Sequence, residues 1–364
     1  MIDQERLRER LVKVLNQHLH VPAKEVHLDK LAGDGSNRAY CRLSWKEDDA
    51  LHSFIVMVLA DPEAFKASEE AGSGEVPSIK EIPFINIQKH LLNCKLPVPE
   101  IIDSNLEEGW ILLEDLGDVT LAQEIEGQLQ NRPFLFGYYQ KAIDTLITLQ
   151  IEASSVPNPP TIAHHRQFDQ ALFLWEFDHF IEYGIEKRKR IVLPKQKKKE
   201  IRAYFIEIAC HLAEISPVYV HRDYHSRNLM IQPGPEGKRI RLIDFQDALM
   251  GPPQYDLASL LRDSYINLPE ELVDALIQYY IEELERRAEK PVERERFREL
   301  FDLASIQRNL KAAGRFVYFD QVKHKSQFLL NVPPTLLKVK HNLLKYEKLR
   351  PLHHLLIPYV SEFQ

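Results

Sequence analysis

The chain has 364 residues, 44% of them hydrophobic and 28% charged, which is enough to bury a large core and excludes a disordered or low-complexity protein. Its 47 Lys and Arg stand against 54 Asp and Glu, a formal charge of −7, so nucleic acid is not expected as a bulk partner, although a local site could still hold an anion. No apolar run approaches the roughly 20 residues that span a bilayer, and the opening MIDQERLRERLVKV is charged throughout, so a cytoplasmic protein without membrane contact is expected. Cys41, Cys94 and Cys210 are odd in number and widely spaced, which fits reduced thiols used in packing.

In chain order, residues 4–19 place Leu7, Leu11, Val14 and Leu15 at helical spacing and predict an amphipathic helix. From Val26 to Val58, VHLDKL, AYCRLSW and SFIVMVL read as three short strands separated by the turn signals GDGSN and KEDD, an antiparallel meander. The polar stretch Asp61 to Pro77 reads as a loop, and Ile85 to Leu92 resumes a helical period. Trp110 to Leu113 predicts a buried strand ending on acidic residues and a glycine. Beyond about Leu121 the patterns are helical, over 134–151, 169–189, 197–215, 270–287, 294–313 and 334–347. The exceptions are VYVHRD and IRLIDF, apolar strands that each end on an aspartate. The architecture implied is α+β, with a β-rich lobe over 1–117 and a mainly helical lobe over 118–364. Lys187 to Arg190 and Lys195 to Lys199 form a basic run that reads as a solvated helix end and loop.

The segment VYVHRDYHSRNLMIQ, residues 218–232, carries the most chemistry. An apolar strand delivers His221, Arg222 and Asp223 into a loop, Asn228 follows five residues after Asp223, and a second apolar strand ends at Asp244. Asp, Asn and Asp brought together supply hard oxygen ligands, which suit Mg2+ held jointly with substrate phosphates. The spacing from His221 through Asp223 to Asn228, with Asp-Phe about 20 residues later, is the catalytic-loop and metal-aspartate arrangement of protein kinases. His221 and His225 are four apart, but zinc would need a helix where the sequence reads strand and loop. Upstream, LAGDGSNRAYCRL sets Gly33, Gly35, Ser36, Asn37 and Arg38 between two strands, where glycines let backbone amides approach phosphate oxygens. With no GK[ST] and no helix directly after it, this is not a P-loop of the NTPase type. Glu114, Asp115, Leu116 and Gly117 mark a hinge at which adenine would meet backbone groups.

HRDYHSRNLM, LIDFQDALMGPPQYDLASLLRD, LPVPEIIDSNLEEGWILLEDLGD and QRNLKAAGRF resemble the aminoglycoside phosphotransferase and choline kinase superfamily, and within it the bacterial N-acetylmuramate/N-acetylglucosamine 1-kinases of cell-wall recycling. The likeness runs from about Leu31 to Leu355. It implies a protein-kinase-like bilobal fold, ATP and Mg2+ as cofactors, and a small-molecule substrate, an amino sugar. By the same resemblance Asp223 is the catalytic base, Asn228 and Asp244 are magnesium ligands, and Gly33 to Arg38 form the nucleotide loop. Asp256 braces the catalytic loop, and Arg227 clamps the transferred phosphoryl or a substrate carboxylate, or else holds the loop by an ion pair. The sequence departs from most kinases at Met57, near the place of the third-strand lysine. Asn37, Arg38 and Mg2+ are left to neutralise the polyphosphate, and a nucleotide-binding pseudokinase stays an alternative. Aminoglycosides and other small alcohols are the alternative acceptors, with Trp175, Glu176, Asp178 and Tyr183 as possible contacts.

Overall fold

The computed structural model describes residues 4–18, 21, 24–31, 39–47, 50–59, 79, 81–235 and 237–364. They group into two units, Met1–Glu70 with Pro99–Gly117, and Ala71–Val98 with Asp118–Gln364.

The first unit is one antiparallel sheet with a helix against it. Strands β1 (Lys24–Lys30), β2 (Ala39–Glu47), β3 (Ala50–Val58), β4 (Ile101–Asn105) and β5 (Trp110–Glu114) lie in the order β1-β2-β3-β5-β4. The meander read from the sequence is the β1-β2-β3 run; β4 adds an edge strand that the sequence reading leaves out. Helix α1 (Gln4–Lys13) turns Leu7 and Leu11 onto Cys41, Leu43 and Trp45, alternate residues of β2, and onto Val56, Trp110 and Leu112. Met57 pairs with Tyr40 on one side and Ile111 on the other and is fully buried in mid-sheet. After β5, the Asp115 carboxylate receives Arg42 Nε at 2.6 Å, Ser53 Oγ at 2.7 Å and the Gly117 N–H at 2.8 Å. Burial would raise its pKa, but these donors hold it below the usual carboxylate range. Gly117 turns with φ +81°, a conformation that favours glycine.

The second unit begins with α2 (Pro83–Asn93), then α3 (Leu121–Glu124), α4 (Arg132–Glu152), α5 (Ile162–His165) and α6 (Gln170–His179). Wider π-helical turns continue α6 through Phe180–Lys187, and α7 (Lys195–Ala213) follows. Short strands β6 (Val218–Val220), β7 (Leu229–Gly234), β8 (Gly237–Leu242) and β9 (Leu249–Gly251) lead to α8 (Gln254–Leu261), α9 (Glu270–Ala288), α10 (Arg294–Lys323), α11 (Val332–Lys345) and α12 (Arg350–Leu356).

The two apolar strands are found as read, β6 paired antiparallel with β9 and β8 with β7. Two features differ from the sequence reading. Residues 83–93 fall with the second unit and not with the sheet, because the Phe84 ring packs tilted against Phe245, His90 Nε2 bonds the Ala153 carbonyl at 2.9 Å, and Asn86 Oδ1 accepts the Ile162 N–H. Helix α10 runs ten residues past 313, through Gly314, where a Cβ would stand 2.9 Å from Phe180 Cα. Glycine there permits the backbones of α10 and the Phe180–Lys187 turns to touch. In the basic run, Arg188 pairs with Glu362, Lys197 with Glu200 and Lys198 with Glu186.

Candidate active site

All the parts of the site described here lie in the second unit. Strand β6 ends at Val220, and the chain turns sharply, with Arg222 at φ +78°. The turn is held by Asp256 on α8, whose carboxylate oxygens accept the His221 N–H at 2.6 Å and the Arg222 N–H at 3.0 Å. Asp256 is fully buried; burial pushes its carboxyl up to about 7, against the two N–H donors that favour the charged form. Further along, Asp263 accepts the Ser226 N–H at 2.9 Å and the Ser226 hydroxyl, and Lys338 from α11 bonds the Asp263 carbonyl. The loop closes on itself through the His225 N–H to the Asp223 carbonyl at 3.0 Å and the Asn228 N–H to the His225 carbonyl at 2.9 Å.

The second loop follows β8. Ile243 joins the two loops: its N–H donates to the Asn228 carbonyl at 3.1 Å, and its carbonyl meets His221 Nε2 at 3.1 Å. That bond and full burial make His221 a structural residue, not a metal ligand. Asp244 takes φ +64°. A non-glycine residue at left-handed φ on each loop is backbone strain of the kind that clusters at functional sites. Asn228 Nδ2 donates to the Asp223 carbonyl at 3.0 Å and lies 3.5 Å from Asp244 Oδ2, so Asp223, Asn228 and Asp244 are brought together. Gln246 Nε2 steadies Asp244 Oδ1 at 2.8 Å and reaches Asp247 at 3.2 Å.

The Asp223 side chain is 36% exposed, and Lys311 Nζ of α10 stands 4.0 Å from its Oδ1. Burial would raise its pKa, but Lys311, then His225, Arg222 and Arg308, overcome this and keep it below the usual carboxylate range. Behind it Glu176 of α6, fully buried, receives Arg222 Nη2 at 3.1 Å and Gln307 Nε2 at 2.8 Å, with Lys311 at 3.6 Å. Burial opposes the Glu176 charge; Lys311, Arg222 and Gln307 reverse this and hold its pKa low.

Arg227 lies with its guanidinium 3.8 Å over the Tyr265 ring, a cation–π contact, and makes no loop ion pair among the described residues. Trp175 is exposed beside His179, Asp178 forms a bidentate pair with Arg202, and Tyr183 packs on His179 and Tyr318. Gly33, Gly35, Ser36, Asn37 and Arg38 lie outside the described residues. Glu114 and Leu116 belong to the first unit, where Glu114 Oε2 accepts the Glu100 N–H at 3.2 Å and Leu116 is buried. Gln307, Arg308, Lys311 and Asp263 are the residues that sequence reasoning passed over. The sequence signals were there: Gln307, Arg308 and Lys311 lie in QRNLKAAGRF and Asp263 ends LIDFQDALMGPPQYDLASLLRD, two stretches that carry the resemblance, and Gln307 and Lys311 are four apart on one helix face.

Buried histidines contribute to the loss of stability on acidification. Burial pushes His164, His179 and His221 down to about 4. Unfolded, each titrates near 6.5, so between about pH 6.5 and 4 the unfolded chain binds more protons and stability falls as pH falls. Asp256, raised to about 7, works the other way but accounts for one proton against three. The urea midpoint is therefore expected to be lower at pH 5 than at pH 7; equal midpoints would contradict the buried neutral histidines.

The chain belongs to the phosphotransferase enzyme family (APH), whose profile matches residues 27–290. It is a phosphotransferase with a hydroxyl acceptor and a protein-kinase-like α+β fold. Among its relatives are proteins named N-acetylmuramate/N-acetylglucosamine kinase. That of Neisseria meningitidis serogroup B is 29% identical over 348 residues, 94% of this chain and 93% of the relative. That of Pseudomonas putida is 30% identical over 309 residues, 84% and 80% of the two chains. Among solved structures, the GDP and kanamycin complex of APH(2")-IIia superposes with a TM-score of 0.54 at 12% identity, covering 93% of this chain and 99% of that one, a likeness of fold. Among the described residues no helix is long and apolar enough to cross a membrane.

Proposed function

We propose that the protein transfers the γ-phosphate of ATP, with Mg2+, to the anomeric hydroxyl of N-acetylmuramate or N-acetylglucosamine. The observation that carries this reading is the convergence of Asp223, Asn228 and Asp244 from two loops. The relatives' names support the amino sugar as acceptor.

The donor set fits magnesium. Asn228 spends its Nδ2 on the Asp223 carbonyl, which leaves the amide oxygen as its ligand atom, and Asp244 adds a carboxylate. Two hard protein oxygens suit an ion that takes its other ligands from phosphates and water. When bound, the ion neutralises charge on the nucleotide's terminal phosphates. Phosphoryl transfer has a loose transition state, so the protein's work is positioning and charge stabilisation. Asp223, anionic and partly exposed, accepts a hydrogen bond from the acceptor hydroxyl and orients it. The hydroxyl oxygen bonds the γ-phosphorus, the bond to the ADP oxygen breaks, and Asp223 takes the proton late. An anomeric hydroxyl, more acidic than other sugar hydroxyls, eases that step. Arg227 clamps the transferred phosphoryl, and Gly33, Gly35, Ser36, Asn37 and Arg38 cradle the nucleotide phosphates. The backbone at Glu114 and Leu116 meets the adenine. With Met57 buried in place of a strand lysine, Asn37 and Arg38 carry the protein's share of phosphate neutralisation.

ADP release measured across amino sugars, aminoglycosides and small alcohols tests the reading. Magnesium-dependent release with N-acetylmuramate or N-acetylglucosamine, and product phosphate at C1, are expected. Release with aminoglycosides alone would move the acceptor to the alternative class, and Mg-ATP binding without release on any acceptor would leave a pseudokinase. Asp244→Asn is expected to cut kcat by about 100-fold and to raise the magnesium concentration needed for half-maximal rate, since a charged ligand is lost; an unchanged magnesium titration would remove Asp244 from the metal site.

A further inference from the structure

Lys311 stands apart from the groups that hold the loops and from the proposed metal pair. Its ammonium lies between two carboxylates, 3.6 Å from Glu176 Oε1 and 4.0 Å from Asp223 Oδ1, within charge range of both but beyond hydrogen-bond length to either. Glu176 does not need it for hydrogen bonds: Arg222 already neutralises that buried carboxylate at Oε1, and Gln307 donates to Oε2. A lysine ammonium has three donors, and this one is 20% exposed, so it is positioned by its charge while its hydrogen bonds are uncommitted among the described residues. It also approaches Asp223 at the carboxylate, whereas Asn228 engages that residue at its main-chain carbonyl.

We propose that Lys311 is a further catalytic residue, whose ammonium donates to an oxygen of the acceptor next to the hydroxyl that Asp223 orients. The assignment rests on the reading of Asp223 given above and narrows the acceptor. A fixed cation beside the reacting hydroxyl favours oxygen-rich neutral or anionic molecules, such as sugars and sugar acids. It repels acceptors that carry ammonium groups, by the same Coulomb interaction that draws it to Asp223. Lys311 would then act on specificity as well as rate.

The test is steady-state kinetics of the full-length wild type, Lys311→Met and Lys311→Arg with N-acetylmuramate, N-acetylglucosamine, kanamycin and choline, with thermal melting as the folding control. The wild type is expected to turn over the sugars with kcat/KM at least 100-fold above that for kanamycin or choline. Lys311→Met should raise the sugar KM at least tenfold while the nucleotide KM stays within twofold, and Lys311→Arg, which keeps the charge and the donors, should recover most of the loss. Lys311→Arg should melt like the wild type; Lys311→Met, which takes one counter-charge from buried Glu176, should melt lower yet stay folded at the assay temperature, because Glu176 keeps Arg222 and Gln307. Unchanged sugar constants in Lys311→Met, a loss that falls on the nucleotide KM, or a wild type that prefers the cationic acceptors would each overturn the assignment. A wild type that releases no ADP with any of the four would overturn the reading of Asp223 itself, a result distinct from failure of the lysine alone.

Discussion

Asp223→Asn should lower kcat by about a thousandfold or more, the upper range of what a positioned proton acceptor contributes. The amide keeps the shape of the side chain but cannot take the proton, and it can present an N–H to the acceptor hydroxyl where an oxygen is needed. Folding should be little changed: the side chain is partly exposed, and Lys311 keeps Glu176 as a counter-ion when the Asp223 charge is gone. ADP release under saturating substrates, set beside a melting curve, reads both effects. Retention of full activity by a folded variant would remove Asp223 from the reaction.

The second large effect is expected at a residue that touches no substrate. Asp256→Ala takes the acceptor from two buried backbone N–H groups, those of His221 and Arg222. Each buried donor left unsatisfied costs about 1–3 kcal/mol, so a loss of roughly 3–5 kcal/mol of stability is expected. The damage should reach activity as well. The two N–H bonds help hold Arg222 at its left-handed φ of +78°, and Asp223 is the next residue. Denaturant unfolding of the variant would measure the first effect and kcat the second. A variant as stable and as active as the wild type would show that the turn needs no brace.

The sequence made the proposed reactive face legible, and with it the brace Asp256, but hid most of what else supports it. His221, Arg222, Asp223 and Asn228 sit within eight residues, and Asp244 ends a recognisable strand, so a local pattern could be read. The strands of the meander were legible for the same reason, since the alternation of Cys41, Leu43 and Trp45 is a period of two. Glu176 meets Gln307 across 131 positions and Arg222 across 46, and no local period records such a contact. The same limit explains why α2 reads as part of the sheet unit: its helical stripe shows that Phe84, Ile87 and Leu91 are buried, but not against what. The left-handed turns at Arg222 and Asp244 leave no trace in residue type, because neither position is a glycine.

The way the chain alternates between its two units limits how it can be cut. It passes from one to the other after residue 70, returns at 99 and leaves again after 117. A fragment ending at Gly117 would retain the whole sheet and also α2, with Phe84, Ile87 and Leu91 stripped of the aromatic and helical surfaces that cover them. Such an uncovered apolar stripe invites aggregation. Isolating the sheet would require excising residues 71–98 and splicing a short polar linker across the gap, and the remaining piece would need that same stretch given back.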